Sequence, residues 1–326
     1  MRTFVSYGPV DTQLHYYAPR TELIDLAYHQ LIGEAPEVNG HYITVWAPRQ
    51  TGKTWVMQQA VARLQAEGQF EVALINLQST KTERTAEGVW QTFVQELTDW
   101  FGRSFPSITA WKDLTTLFRM PFFSKPLILI IDEFDSLDEP FINQFANEFR
   151  SMFSSRSNQM NRKSGEKSCL LHGLALVGVR SALGIENERG SPFNIQCSVR
   201  IPNLTQNEVT GMFGWYERES GQPIESAVVE RIFAETRGQP GLTGWLGELL
   251  TERYNHTKIT ITLTDFETAY AAAVDALPNN NILNIISKAK QEPYKPLVLE
   301  LFQTSEKIPF HFYEPRTNYL GVIQMS

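Results

Sequence analysis

Ala47-Pro48-Arg49-Gln50-Thr51-Gly52-Lys53-Thr54 decides how this chain folds. The stretch follows a β-branched and aromatic run, Tyr42-Ile43-Thr44-Val45-Trp46, and opens a helical stretch over residues 55–66. A strand, a loop ending in Gly-Lys-Thr and a helix make the Walker A pattern. Each position has a task in holding phosphate. Backbone N–H groups of Arg49, Gln50 and Thr51, with the helix N-terminus behind them, face the anion. Gly52 lacks a Cβ, so the backbone can close upon a β-phosphate. Lys53 is expected to reach the β- and γ-phosphates, and the Thr54 hydroxyl to bind Mg²⁺. Trp55 follows as the last candidate contact. Ala47 replaces the glycine usual at the first position, which is acceptable at negative φ, and Pro48 stiffens the turn after it.

Working outward, Leu127-Ile128-Leu129-Ile130-Ile131-Asp132-Glu133 is an apolar strand ending in two adjacent carboxylates, 79 residues after Lys53. Burying two like charges is costly unless a cation is present. Beside a phosphate loop that cation is Mg²⁺, with Asp132 holding it and Glu133 placed to polarise an attacking water. An Asp-Glu helix cap is the plainer alternative. Three more apolar runs, 71–77, 174–179 and 195–201, join 41–46 and 127–131 as expected strands. Apolar residues every four positions (Val89, Phe93, Leu97, Phe101, then Phe141, Phe145, Phe149, Phe153) mark helices between them, and the stripes read as core. Strands alternating with helices predict an α/β doubly wound parallel sheet. Gly178-Val179-Arg180 closes the fourth strand. At the carboxyl edge of such a sheet Arg180 can sense a γ-phosphate, or can cap the next loop.

The 326 residues are 42% hydrophobic with a net charge of −7. That length predicts two or three domains, and the composition excludes disorder. No apolar run approaches the roughly 20 residues of a membrane span, and the N-terminus lacks an export signal. Two cysteines make no disulfide framework or zinc site, so a cytoplasmic location is expected. Six scattered histidines lack metal-ligand spacing, and His172, before a buried strand, reads as structural. From Thr205 onward the β signal fades. Thr205-Gln206-Asn207-Glu208 and Thr264-Asp265-Phe266-Glu267 each fit a capping box. The expected divisions are an N-terminal segment 1–40, an α/β domain 41–204, a helical lid 205–277, and a linker with a terminal unit 278–326. The last reads as cut short.

One basic island, with Arg156, Arg162, Lys163 and Lys167, stands against the acidic balance. It reads either as a solvated loop or as a contact site for nucleic acid or an acidic partner.

The three motifs Ala47–Thr54, Leu127–Glu133 and Gly178–Arg180 resemble those of AAA-like P-loop ATPases, close to the archaeal-type and STAND group that includes the NB-ARC switches. Tyr17-Ala18-Pro19-Arg20-Thr21-Glu22-Leu23 is similar to the arginine-containing motif near the nucleotide base in these families. Thr236-Arg237-Gly238-Gln239-Pro240-Gly241 is similar to their lid motif, whose proline packs near adenine. The terminal unit looks like the start of a winged helix. The resemblance implies a doubly wound P-loop NTPase of the additional-strand, catalytic-glutamate type. It implies ATP or ADP and Mg²⁺ as ligands, bound between sheet and lid, with Arg20 and Pro240 among the nucleotide contacts. Catalysis would rest on Glu133, Lys53 and Arg180. Arg237 is a candidate for a second sensor and Arg150 for an arginine finger acting in an oligomer. Function is expected to be a slowly hydrolysing regulatory switch with a protein partner or self-assembly. A DNA-directed loader and a non-hydrolysing adaptor remain as alternatives.

Overall fold

The computed structural model describes residues 1–178, 198–255, 258–275, 279–292 and 294–303. The chain divides into two compact units. One comprises Arg20–Ala47 and Lys53–Ile201; the other comprises Met1–Pro19, Pro48–Gly52 and residues from Pro202 on.

The first unit is a five-stranded, all-parallel sheet in the order β2-β3-β4-β1-β5. The strands are β1 (Tyr42–Trp46), β2 (Glu71–Asn76), β3 (Leu127–Asp132), β4 (Leu171–Gly178) and β5 (Ser198–Arg200). All five fall on the expected runs, although β4 begins at Leu171, three residues before expected; the expected residues 179 and 195–197 lie outside the described ones. Every residue of β3 and β4 is buried, as expected of central strands covered on both faces. Leu127, Leu129 and Ile131 enter the core with Val89, Phe93 and Leu97 of α3 (Ala86–Phe101) and Phe145 and Phe149 of α4 (Glu139–Ser157). The pleat sends Ile128 and Ile130 to the opposite face. Helices α1 (Thr21–Ile32) and α2 (Lys53–Glu67) complete the unit.

The second unit is helical: α5 (Gln206–Ser220), α6 (Ser226–Thr236), α7 (Pro240–Glu248), α8 (Leu263–Asp275), α9 (Asn280–Ala289) and α10 (Tyr294–Gln303). Thr205 caps α5 as expected, accepting from Glu208 N at 3.2 Å while its own N–H donates to Glu208 Oε2 at 2.7 Å. The second box forms two residues earlier than expected. Thr262 N donates to Asp265 Oδ2 at 2.8 Å, and α8 begins at Leu263. Thr262 and Thr264 both satisfy the local pattern, which therefore cannot choose between them.

The expected N-terminal segment 1–40 divides at Arg20. Phe4, Tyr16 and Ala18 are buried in the core of the helical unit with Phe213, Ile232 and Phe266. The Phe4 ring stacks on Phe213 at 4.7 Å. Here α7 must be bare: a Cβ at Gly244 would lie 2.0 Å from Val5 O, and one at Gly247 2.5 Å from the Phe4 ring. Of the terminal unit, α9 and α10 are described. The remainder, 304–326, lies outside the described residues.

The basic island is corrected most sharply. Arg156 is 1% exposed and Lys167 4%. The Arg156 guanidinium donates to Cys169 O and, at 2.7 Å, to Ser164 Oγ. Lys167 Nζ donates to Asn39 Oδ1 at 2.9 Å and to Arg156 O at 3.1 Å. The Arg156 carbonyl, in the last turn of α4 at the negative end of its dipole, offsets part of the cost of burying Lys167. Arg162 and Lys163 are exposed, so two charges, not four, face solvent.

His172 lies inside β4 beside this network, as a structural residue. Ile32 O, 3.1 Å from Nε2, can only accept, so Nε2 carries the proton. Nδ1, 2.7 Å away, then accepts from the Ser164 hydroxyl. Burial pushes the imidazole pKa down to about 3, aided by Arg156, Lys167 and His41 and opposed by the Ile32 bond.

Two outcomes follow. The unfolded chain protonates His172 near pH 6.5 and the folded chain does not, so stability falls as pH drops from about 6.5 toward 3. The slope is up to about 1.4 kcal/mol per pH unit from this group. Urea unfolding of His172→Gln between pH 7.5 and 5 should lose that component; an unchanged pH dependence contradicts the assignment. Arg156→Ala should cost more than about 2 kcal/mol in the same assay, and Arg162→Ala less than about 0.5 kcal/mol. Equal effects would contradict the burial of Arg156.

Candidate functional site

β1 delivers the chain to Ala47, and α2 takes it up again at Lys53. Lys53 is 7% exposed, and its Nζ donates to Ala47 O at 3.0 Å. Its ammonium is thus buried against the first carbonyl after β1. One residue on, Thr54 Oγ1 donates to Asp132 Oδ2 at 2.6 Å. Asp132 is the last residue of β3 and 2% exposed, and its Oδ1 accepts from Glu133 N at 2.9 Å.

Glu133 ends the strand abruptly. It is half-buried and adopts φ 52°, ψ 36°, the left-handed region, which costs a side-chain-bearing residue about 1 kcal/mol or more. Ser136 N donates to Glu133 O at 2.9 Å, closing the 3-10 turn Phe134–Ser136 that holds this conformation. Asp132 and Glu133 therefore stand together at the carboxyl end of β3. Gly178 ends the described part of β4, and Ala47 N donates to its carbonyl at 3.3 Å. Arg180 lies outside the described residues.

Residues 48–52 belong to the helical unit. Gln50 and Gly52 both have positive φ, 57° and 88°. Alternating backbone of this kind turns successive N–H groups into an anion-binding concavity. Thr51, 1% exposed, donates from Oγ1 to Pro48 O at 2.9 Å. Arg49 O accepts from Gln239 Nε2 at 3.0 Å, and Gln50 O from Gly241 N at 3.2 Å. Gln239 and Gly241 were not among the expected contacts, although glycines at 241, 244 and 247 carry a three-residue signal of close approach.

The remaining candidates are placed as follows. Trp55 is buried on α2. Arg20, 9% exposed with φ 48°, occupies the position before α1 without capping it through its side chain. Pro240 is half-buried and is the first residue of α7. Arg237 and Arg150 are exposed, Arg237 ending α6 in the left-handed region and Arg150 lying on α4.

Hard oxygen donors from Thr54 and Asp132, within hydrogen-bond distance of each other, fit Mg²⁺, which takes few protein ligands and retains several waters. Among the described residues no group of three or more His, Cys, Asp or Glu is arranged to hold a metal by itself. No described helix is long and apolar enough to cross a membrane.

No curated protein is significantly similar to the chain in sequence. Solved structures share its fold. A Walker-type ATPase of Pyrococcus abyssi is 13% identical with a TM-score of 0.57, covering 98% of this chain and 92% of that one. The Drosophila ORC bound to DNA gives 14% and 0.55, covering 94% and 74%. Cdc6p of Pyrobaculum aerophilum gives 15% and 0.53, covering 98% and 87%. The AAA-like domain family matches residues 5–262, all of the sheet unit and part of the helical one. The match spans most of the chain and agrees with the parallel sheet, and the chain belongs to the AAA-like domain family of P-loop ATPases.

Proposed function

We propose that this chain binds ATP with Mg²⁺ and hydrolyses it slowly, as a cytoplasmic regulatory switch of the STAND and archaeal-type group. The observation that carries the reading is the 2.6 Å hydrogen bond between Thr54 and Asp132, which joins the two phosphate-site motifs. The N–H groups of residues 49–53 receive the α- and β-phosphates. Lys53 Nζ exchanges the Ala47 carbonyl for the β- and γ-phosphate oxygens, and Thr54 and Asp132 hold the metal. Mg²⁺ when bound supplies charge neutralisation at the β- and γ-oxygens. The Glu133 carboxylate takes a proton from the attacking water as its oxygen bonds to the γ-phosphorus, and the bridging oxygen leaves with ADP. Arg180, from its place in the sequence after β4, is assigned to sensing the γ-phosphate.

A strained glutamate supports hydrolysis over the adaptor reading. Left-handed backbone at a residue other than glycine, next to a metal-binding aspartate, is what a site keeps when the side chain is used. The DNA-directed reading has less support, because Arg156 and Lys167 are buried. The switch consists in ATP- and ADP-bound forms that differ in the helical lid or in self-association.

Calorimetry and phosphate release test this. Lys53→Ala should weaken MgATP binding at least about 100-fold, a loss of about 2.8 kcal/mol. Glu133→Gln should bind MgATP as wild type does and lose about 100-fold or more in turnover. Light scattering with ADP and with a non-hydrolysable ATP analogue should show different masses or shapes. Tight ATP binding by Lys53→Ala, or full turnover by Glu133→Gln, would sink the reading.

A further inference from the structure

The phosphate loop is held from behind by its carbonyl oxygens. Two consecutive carbonyls, of Arg49 and Gln50, accept from Gln239 Nε2 and Gly241 N at the start of α7. The Gln239 amide is fixed in orientation: Oε1 accepts from Leu242 N at 2.5 Å, so Nε2 is the end turned to the loop. The side chain is 2% exposed. It therefore has two jobs, capping α7 through Oε1 and donating to the loop through Nε2.

A trans peptide sets its C=O and N–H on opposite sides. Holding the carbonyls of Arg49 and Gln50 toward α7 turns the N–H groups of Gln50 and Thr51 away from it. These are middle donors of the loop, the ones a phosphate needs. The approach is close enough to exclude a side chain: a Cβ at Gly241 would lie 2.5 Å from Gln50 Oε1 and 2.8 Å from Gln50 Cβ. Glycine at 241 thus allows the backbone contact, and glutamine at 239 reaches the next carbonyl along.

We propose that Gln239 is a positioning residue for phosphate binding. By fixing the Arg49 carbonyl it presets the Gln50 N–H, and with Gly241 it makes the start of α7 the element that sets nucleotide affinity. The proposal rests on the phosphate-site reading above and assigns the lid a part in it other than contact with the base.

Gln239→Glu separates the two jobs. The glutamate keeps an acceptor for Leu242 N but loses the donor and sets a carboxylate against the Arg49 carbonyl. MgADP and MgATP affinities are measured by calorimetry on the full chain for wild type, Gln239→Glu, Gln239→Ala and Lys53→Ala, with melting temperatures of the unliganded proteins. Gln239→Glu is expected to melt below wild type, because it buries a carboxylate against a carbonyl, yet to stay folded at the assay temperature and to bind both nucleotides at least about tenfold more weakly. Its kcat at saturating ATP should stay within about twofold, since Glu133 and Asp132 are untouched. Gln239→Ala should lose affinity too, and melt lower through the lost cap. If Gln239→Glu and Gln239→Ala both bind MgADP within threefold of wild type while Lys53→Ala does not, the inference falls and the phosphate site stands. If wild type binds neither nucleotide, both fall.

Discussion

The hydrogen bond from Thr54 Oγ1 to Asp132 Oδ2 is the constraint around which this molecule is organised. The two residues are 78 positions apart, on a helix and on a strand, and β3 and β1 are not neighbours. β4 runs between them, so two strand spacings, about 10 Å, have to be bridged. The chain does this with parallel strands that end at one edge, so that the first turn of α2 and the end of β3 reach the same place. The end of the intervening strand must stay low there. Gly178 does so: a Cβ at that position would meet Asp135 Oδ1 at 2.9 Å. A buried aspartate is tolerable because its two oxygens are occupied, one by the threonine hydroxyl and one by Glu133 N.

What was legible in the sequence was what depends on neighbours along the chain. The strand, loop and helix around Lys53 are contiguous, and the run from Leu127 to Glu133 states both its burial and its acidic end. The four-residue aromatic stripes place α3 and α4 because helical periodicity is local, and the Thr205 box places the start of α5 for the same reason. What was not legible depends on contacts that no local pattern encodes. Residues 1–19 carry no signal that Phe4 will stack on Phe213, more than 200 residues away. Arg156 and Lys167 look like surface charge in a polar stretch. Their burial is understood once the carbonyls of Cys169 and Arg156 and the side chains of Ser164 and Asn39 are seen around them. The candidate site divides the same way: Lys53, Thr54, Asp132 and Glu133 follow from motif spacing, Gln239 and Gly241 from tertiary contact.

Electrostatics gives these pieces one logic. A chain with a net charge of −7 keeps two of its cations inside, tied to neutral oxygens, where they hold α4 to the segment before β4. Lys53 is likewise buried, its Nζ donating to Ala47 O at 3.0 Å. Lys167 has a side-chain amide and a carbonyl as acceptors, and Lys53 the carbonyl of the residue that follows β1.

The central claim is that Thr54 and Asp132 are paired in order to share a metal with a bound nucleotide. The most direct measurement is the effect of Mg²⁺ on ATP affinity, taken by calorimetry with the metal chelated and with it in excess, for wild type and for Thr54→Val. The account predicts that Mg²⁺ tightens ATP binding about tenfold or more in wild type and has little effect in Thr54→Val, with metal-free affinity alike in the two. An equal Mg²⁺ effect in both proteins would contradict it.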